Sequence, residues 1–201
     1  MYIKETLRKA VENVTGIGKP SADSVRAALR ARKPDTIMFA DDGTVPNNAR
    51  LPFVVYRSAL DPQPAGDAAA AFEQLFHSNG WGESWRNGIY SYVHYHSSIH
   101  EVLGIARGRA SVRFGGNKGA TFELSAGDVA ILPAGTGHQR LSASKDLLVI
   151  GAYPPGGTYD ECRGSREERE RALHSIPMVP MPATDPVYGA NGPLVEAWTT
   201  A

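Results

Sequence analysis

The stretch that decides the fold is Gly88-Ile-Tyr-Ser-Tyr-Val-His94-Tyr-His96-Ser-Ser-Ile-His100-Glu101-Val-Leu-Gly-Ile-Ala-Arg-Gly108, answered downstream by Gly127-Asp-Val-Ala-Ile-Leu-Pro133-Ala-Gly135-Thr-Gly-His138. His94 and His96 stand two apart in a run of aromatic and β-branched residues, so in a strand both project from one face. Glu101 follows after a four-residue bend, and His138 comes back on a separate strand behind a Pro/Gly turn. Three imidazoles and a carboxylate are a full set of protein ligands for one divalent metal. His-x-His by itself is common. Two glycine-framed halves in this order are specific.

Strand parity extends the reading. The face that bears His94 and His96 also bears Tyr90 and Tyr92, and the opposite face carries Ile89, Val93 and Tyr95. After the bend Glu101 shares a face with Leu103 and Ile105, and after Gly135 His138 shares one with Arg140. The expected ligands are therefore His94, His96, Glu101 and His138. His100 points the other way in a regular strand, although a bulge would bring it inward in place of Glu101. Tyr90 and Tyr92 are candidate acid/base or substrate-gripping hydroxyls, against a packing role. Arg140 is a candidate anchor for a substrate anion, unless a carboxylate of the protein is its partner. The expected catalytic set is Glu101, Tyr92 and Arg140.

Gly88-x5-His94-x-His96-x4-Glu101-x6-Gly108 and Gly127-x5-Pro133-x-Gly135-x2-His138 resemble the two motifs of the cupin superfamily. The asparagine that closes the second family motif is replaced by Ser142. The resemblance covers residues 85–153, and flanking phrases such as Asp41-Asp-Gly-Thr-Val-Pro-Asn-Asn48 are similar to a branch of bacterial single-domain cupins. It implies an all-β fold, an antiparallel double-stranded β-helix or jelly-roll barrel with short flanking helices. It also implies one divalent metal ion (Fe, Mn, Ni, Co or Zn), but no particular substrate. Four protein ligands leave one or two open positions on a five- or six-coordinate ion, which suits Fe(II), Mn(II), Ni(II) or Co(II) and nearly closes Zn(II).

The spacing predicts helices over 2–14 and 21–32, with Ser21 as N-cap of the second. An apolar strand-like run follows over 51–59, and Asp67 caps a helix over 68–78 with Gly80 just past its end. Strands are expected near 88–96, 101–107, 110–114, 120–124, 128–132, 137–142 and 146–153, with Gly115–Gly119 as a hairpin turn. Ser165-x-x-Glu168 reads as a capping box opening a helix to about 174. The remainder, with five prolines from Pro177 to Pro193, reads as an extended arm. The parts are a helical extension (1–34), the barrel with its preceding strand and helix (35–160), and a C-terminal helix with Pro-rich arm packing on the barrel (161–201).

Lys and Arg number 21 against 21 Asp and Glu, so no global charge calls for nucleic acid or an acidic membrane. A local excess in residues 1–33, eight basic against three acidic, raises a DNA-binding extension, but two short helices fall short of a helix-turn-helix domain. No apolar run reaches the roughly 18 residues of a membrane span, and the first 25 residues lack a signal-type apolar segment. A cytoplasmic protein is the expectation, in keeping with the single cysteine, Cys162. That thiol sits beside Asp160 and Glu161, which disfavours a nucleophile. The apolar face Ile89, Val93 and Tyr95 calls for a cover, either a second copy in a homodimer or the chain's own arms. The sequence thus points to a metal-dependent enzyme of dioxygenase or isomerase/lyase type on a small, polar, anionic molecule. The competing reading is a non-catalytic binding or sensor module.

Overall fold

The computed structural model describes residues 20–200; the helix expected over 2–14 lies outside them. In chain order the described residues form α1 (Ala22–Ala28), β1 (Asp35–Ile37), β2 (Phe53–Tyr56), a one-turn α2 (Pro62–Ala65), α3 (Ala68–Ser78) and β3 (Gly82–Asn87). These are followed by β4 (Glu101–Arg107), β5 (Arg109–Phe114), β6 (Ala120–Ser125), β7 (Val129–Leu132), β8 (His138–Ala143), β9 (Leu148–Tyr153), α4 (Arg166–Ser175) and α5 (Pro193–Thr199).

The strands make two antiparallel sheets, ordered β1-β2-β7-β4-β9-β3 and β6-β5-β8. Their inner faces share one core, in which Phe53, Val55, Leu103, Ile105 and Val149 of the first sheet meet Val112, Phe114 and Leu124 of the second. The outer face of the larger sheet is also buried. Val54, Tyr56, Val102, Ile131 and Ile150 pack under Phe72, Leu75 and Phe76 of α3 and under Trp198 of α5. Both faces are covered, which is why β2 and β7 are unbroken apolar runs rather than alternating ones.

Local signals act where expected. Ser21 accepts from the Ser24 amide at 3.1 Å, Asp67 caps α3 through the Ala69 and Ala70 amides, and Ser165 with Glu168 forms a reciprocal capping box. Three expectations need correction. α1 stops at Ala28 because the chain turns extended there, with Leu29 bridging to Leu60 and the Arg30 amide donating to the Ala59 carbonyl. The proline-rich end is not wholly extended: Pro193 opens α5, where its missing N–H is harmless, and Trp198 is buried under it.

The third correction concerns 88–96. The regular strand of this region is β3, which ends at Asn87. Residues 90–96 instead run beside β8 without forming a full ladder. The Arg140 amide donates to the Tyr90 carbonyl (2.8 Å), the His138 amide to that of His94 (2.9 Å) and the Gly135 amide to that of His96 (2.7 Å). On the other edge Tyr95 exchanges two backbone bonds with Cys162. Tyr95 is fully buried among Val45, Cys162, Ala172 and Ile176, so α4 and the turn after it cover this face within the same chain. Ile89 turns into the inner core instead. The apolar face therefore gives no reason for a second copy.

Candidate metal centre

The two motifs meet backbone to backbone. The His94 and His138 amides and carbonyls exchange hydrogen bonds, which brings their imidazoles to 3.9 Å between ring centroids. Gly135, at φ +92, makes the turn that returns His138, and only glycine adopts that conformation without strain. Two buried asparagines clamp the turn: Asn47 Oδ1 accepts from the Gly137 amide, and Asn48 Nδ2 donates to the Ala134 carbonyl. His94, His96 and His138 are buried and their donor atoms lie within 4.8 Å of one another.

Each imidazole turns Nδ1 to a backbone carbonyl: Tyr92 for His94 (3.3 Å), Asp160 for His96, and Thr136 for His138 (3.2 Å). A proton on Nδ1 leaves the Nε2 lone pair free, the tautomer a metal needs. Burial holds His94 below, and His138 well below, the usual imidazole range. At His96 burial acts in the same direction, but the Glu101 carboxylate outweighs it and lifts the group to about 9.

Glu101 Oε2 lies 3.4 Å from His96 Nε2 and 3.5 Å from His138 Nε2, is buried, and has no hydrogen-bond donor. Two donors that share an ion at about 2.1 Å stand about 3.0 Å apart at a right angle and about 3.4 Å apart at a tetrahedral angle. The observed separations fall at the tetrahedral end of that range. An orphaned carboxylate oxygen facing two Nε2 atoms is the arrangement a divalent ion would satisfy. His100 is not part of it. Its Nδ1 accepts from the Ala134 amide at 2.9 Å and its ring lies 4.8 Å from that of Trp198, on the outer side of the sheet.

The donors form the floor of an open cavity of about 390 Å3. Its walls include Trp85, Tyr90, Tyr153 and Tyr159, with Leu103 and Ile89 deeper and Glu83 and Arg86 among the polar groups. The Trp85 indole N–H donates to the Tyr153 hydroxyl at 2.8 Å. This contact exists because Gly151 lies under the indole, where a Cβ would fall 2.1 Å from the ring. Burial, then the nearby Glu101 charge, raises the Tyr153 hydroxyl far above the usual phenol range, so it keeps its proton.

Two expected site residues lie elsewhere. Tyr92 donates to Glu161 at 3.2 Å under the Arg163 guanidinium, 4.0 Å from the ring centroid. Arg140 gives its Nε–H to the Ile89 carbonyl at 2.8 Å, in a neighbouring cleft with Tyr90, Tyr92 and Leu147. Neither lines the metal cavity. Tyr90 does, beside His94 at 5.2 Å. Cys162 is buried, and burial, then Asp160, pushes its thiol up to about 12, which removes it as a nucleophile. Trp85, Tyr153, Tyr159 and the Asp160 support of His96 were not read from the sequence. The one available signal was Gly151 inside an apolar strand, a mark of close approach.

No family model matches the chain. It is 43% identical over 167 residues to the uncharacterised protein YjlB of Bacillus subtilis (strain 168), covering 83% of this chain and 98% of that one. Solved structures similar to it include acireductone dioxygenase from Bacillus anthracis with a cadmium ion in the active centre, at 17% identity and TM-score 0.34, covering 45% of this chain and 65% of that one. A variant of Bacillus subtilis oxalate decarboxylase shows 19% identity and TM-score 0.34 over 58% of this chain and 29% of that one. Likenesses at these scores carry no weight for the chemistry. The sequence relationship shows that the chain belongs to the same family as YjlB, and its histidine motifs, brought together between two antiparallel sheets, are arranged as the resemblance to cupins implies.

Proposed function

We propose that this protein is a divalent-metal-dependent enzyme, of dioxygenase or isomerase/lyase type, acting on a small, polar, anionic organic molecule. The observation that carries the reading is the buried His94, His96, His138 and Glu101 donor set on the floor of an open cavity. Those four residues would hold the ion. Bound there, it supplies Lewis acidity toward a carbonyl, enol or carboxylate oxygen, and redox chemistry where it is iron.

The chain's own groups do the rest. Carbonyls of Tyr92, Asp160 and Thr136 fix the imidazole tautomers. With one lone pair of Tyr153 engaged by Trp85, its O–H is left to donate toward Glu101 or a substrate oxygen. Ile89 and Leu103 keep the deeper wall apolar. The Arg86 guanidinium on the wall is already held by both oxygens of Glu73, at 2.7 and 2.8 Å. An anionic substrate would therefore be gripped chiefly at the floor.

The test is metabolite screening on reconstituted protein, with Fe(II) in air set against Mn(II) without O2. Turnover needing iron and O2 supports a dioxygenase, and turnover with Mn(II) alone an isomerase or lyase. Tight metal-dependent binding with no product in either arm would replace the enzyme by a binding module. Failure to retain any of Fe, Mn, Ni, Co or Zn would overturn the metal site itself.

A further inference from the structure

The mouth of the metal cavity has features that the donor cluster does not explain. Tyr90 and Tyr159 stand 41% and 48% exposed, although their rings lie only 5.2 Å from His94 and 5.0 Å from His96. Large aromatic rings left open to solvent beside a cavity mark a surface that receives a ligand. The same cavity wall carries Glu83, held at φ +49 where β3 bulges between Gly82 and Trp85. A left-handed conformation costs a non-glycine residue about 1 kcal/mol or more. Here it turns a carboxylate-bearing residue to the cavity wall, at the edge shared with the smaller neighbouring cleft.

The charges around this mouth do not balance. Arg86 is engaged by Glu73. Glu161 and Arg163 pair with each other beside Tyr92, and the Asp160 carboxylate takes the Ser97 and Ser98 amides and the Ser97 hydroxyl. Glu83 makes no ion pair among the described residues. What stays open is a carboxylate on a wall that also presents exposed tyrosine faces, two features that each attract an organic cation, one through charge and the other through the ring quadrupole.

We propose that the cavity takes a small zwitterion, its anionic oxygen end at the histidine and Glu101 floor and an ammonium-type cation at the mouth against Tyr90, Tyr159 and Glu83. This rests on the preceding reading of the floor as a metal site open to small molecules, and narrows its ligand class. A plain dicarboxylate or a neutral sugar would leave Glu83 unanswered, and a simple amine would leave the floor unfilled.

The experiment compares two carboxylates of the same shape on protein carrying stoichiometric Mn(II). One is glycine betaine; the other is the anion of tert-butylacetic acid, with a quaternary carbon in place of the nitrogen. Both offer the same oxygens to the floor, and homologous pairs one and two methylenes longer allow for the depth of the cavity. By calorimetry at low ionic strength, the cationic member of the best-fitting pair should bind about tenfold tighter or better. Glu83→Gln and Tyr159→Leu, both at exposed positions, should each shrink that ratio severalfold while leaving metal content and melting temperature unchanged. Equal affinity within every pair, or a ratio neither substitution alters, overturns the zwitterion and leaves the metal site standing. If no carboxylate of either kind binds the loaded protein, the reading of an open floor fails as well.

Discussion

Gly151 is the position where one added methyl group should be felt furthest. A Cβ there would stand 2.1 Å from two carbons of the Trp85 ring and 2.5 Å from its Nε1. Carbon atoms pack at about 3.5–4.0 Å, so in Gly151→Ala the indole must retreat by about 1.5 Å. Trp85 is in register with Gly151 across β3 and β9, so the shift strains that edge of the sheet as well. The indole–Tyr153 bond, now 2.8 Å, opens beyond hydrogen-bonding reach. Overpacking costs about 1–3 kcal/mol and the lost bond about 1 kcal/mol, for a total of about 2–4 kcal/mol. A chain of this size loses about 2–4 °C per kcal/mol, so the melting temperature should fall by about 5–15 °C. Scanning calorimetry on metal-free protein reads this, and Mn(II) titration should show weaker binding because the Trp85–Tyr153 wall beside the donor cluster is displaced. The decisive control is Trp85→Ala. In that background Gly151→Ala has nothing to strike and should become neutral or stabilising by about 0.5–1 kcal/mol. An additive pair of effects, or a Gly151→Ala protein melting with its parent, would refute the mechanism.

Metal at a thousandfold over its Kd should stabilise the parent by about 4 kcal/mol, a rise of about 8–16 °C that His96→Ala abolishes; a metal shift surviving in His96→Ala would clear that residue of ligation. Asn47→Ala strips the Gly137 amide and the Ala40 and Gly115 carbonyls of their partner. Urea titration should show a loss of about 2–4 kcal/mol, with weaker metal binding because the turn before His138 is no longer clamped; unchanged stability would exclude the clamp. The Cys162 thiol, pushed up to about 12, should resist disulfide reagents at neutral pH until the chain unfolds. It is an acid whose pKa rises on folding, so its contribution to stability is complete at neutral pH. That contribution is lost as pH climbs from the unfolded thiol value of about 8.5 toward 12. Fast stoichiometric labelling of native protein would contradict this.

What was legible in the chain was what a metal demands locally. His94, His96 and His138 stand at spacings that the fold converts into one cluster, with the Glu101 carboxylate beside two of them, and glycines at 127 and 135 fix the return path. β4, β7 and β9 were legible as apolar runs and β5 as an alternating one, and glycine or proline breaks separate every successive pair from β4 to β8. The segment 88–96 misled because parity assumes a regular strand. The backbone bends at Ser91 and Tyr92, so Ile89 enters the inner core while Tyr95, expected on the same side, faces α4. Arg140 misled for a different reason. It pairs with the fully buried Val112, so its face was read correctly, but parity gives a face and not a depth. Two residues beyond His138, the side chain has already left the cavity for the Ile89 carbonyl.

The wall was illegible because no short-range pattern specifies it. Trp85 reaches Tyr153 across 68 residues, and the Asp160 carbonyl reaches His96 across 64. Both contacts require strand pairings that are settled only when the sheet forms. His100 shows the same division within one dipeptide. Its neighbour Glu101 turns to the floor because β4 continues from it in register with β7. His100 turns out because the Ala134 amide and the Trp198 ring await it there, contributed by residues 34 and 98 positions downstream. Ligand identity follows from spacing, whereas the ligand's surroundings follow from topology. On the enzyme reading proposed above, the surroundings would choose the substrate, so the walls of this cavity, more than its histidines, are where that reading has to be tested.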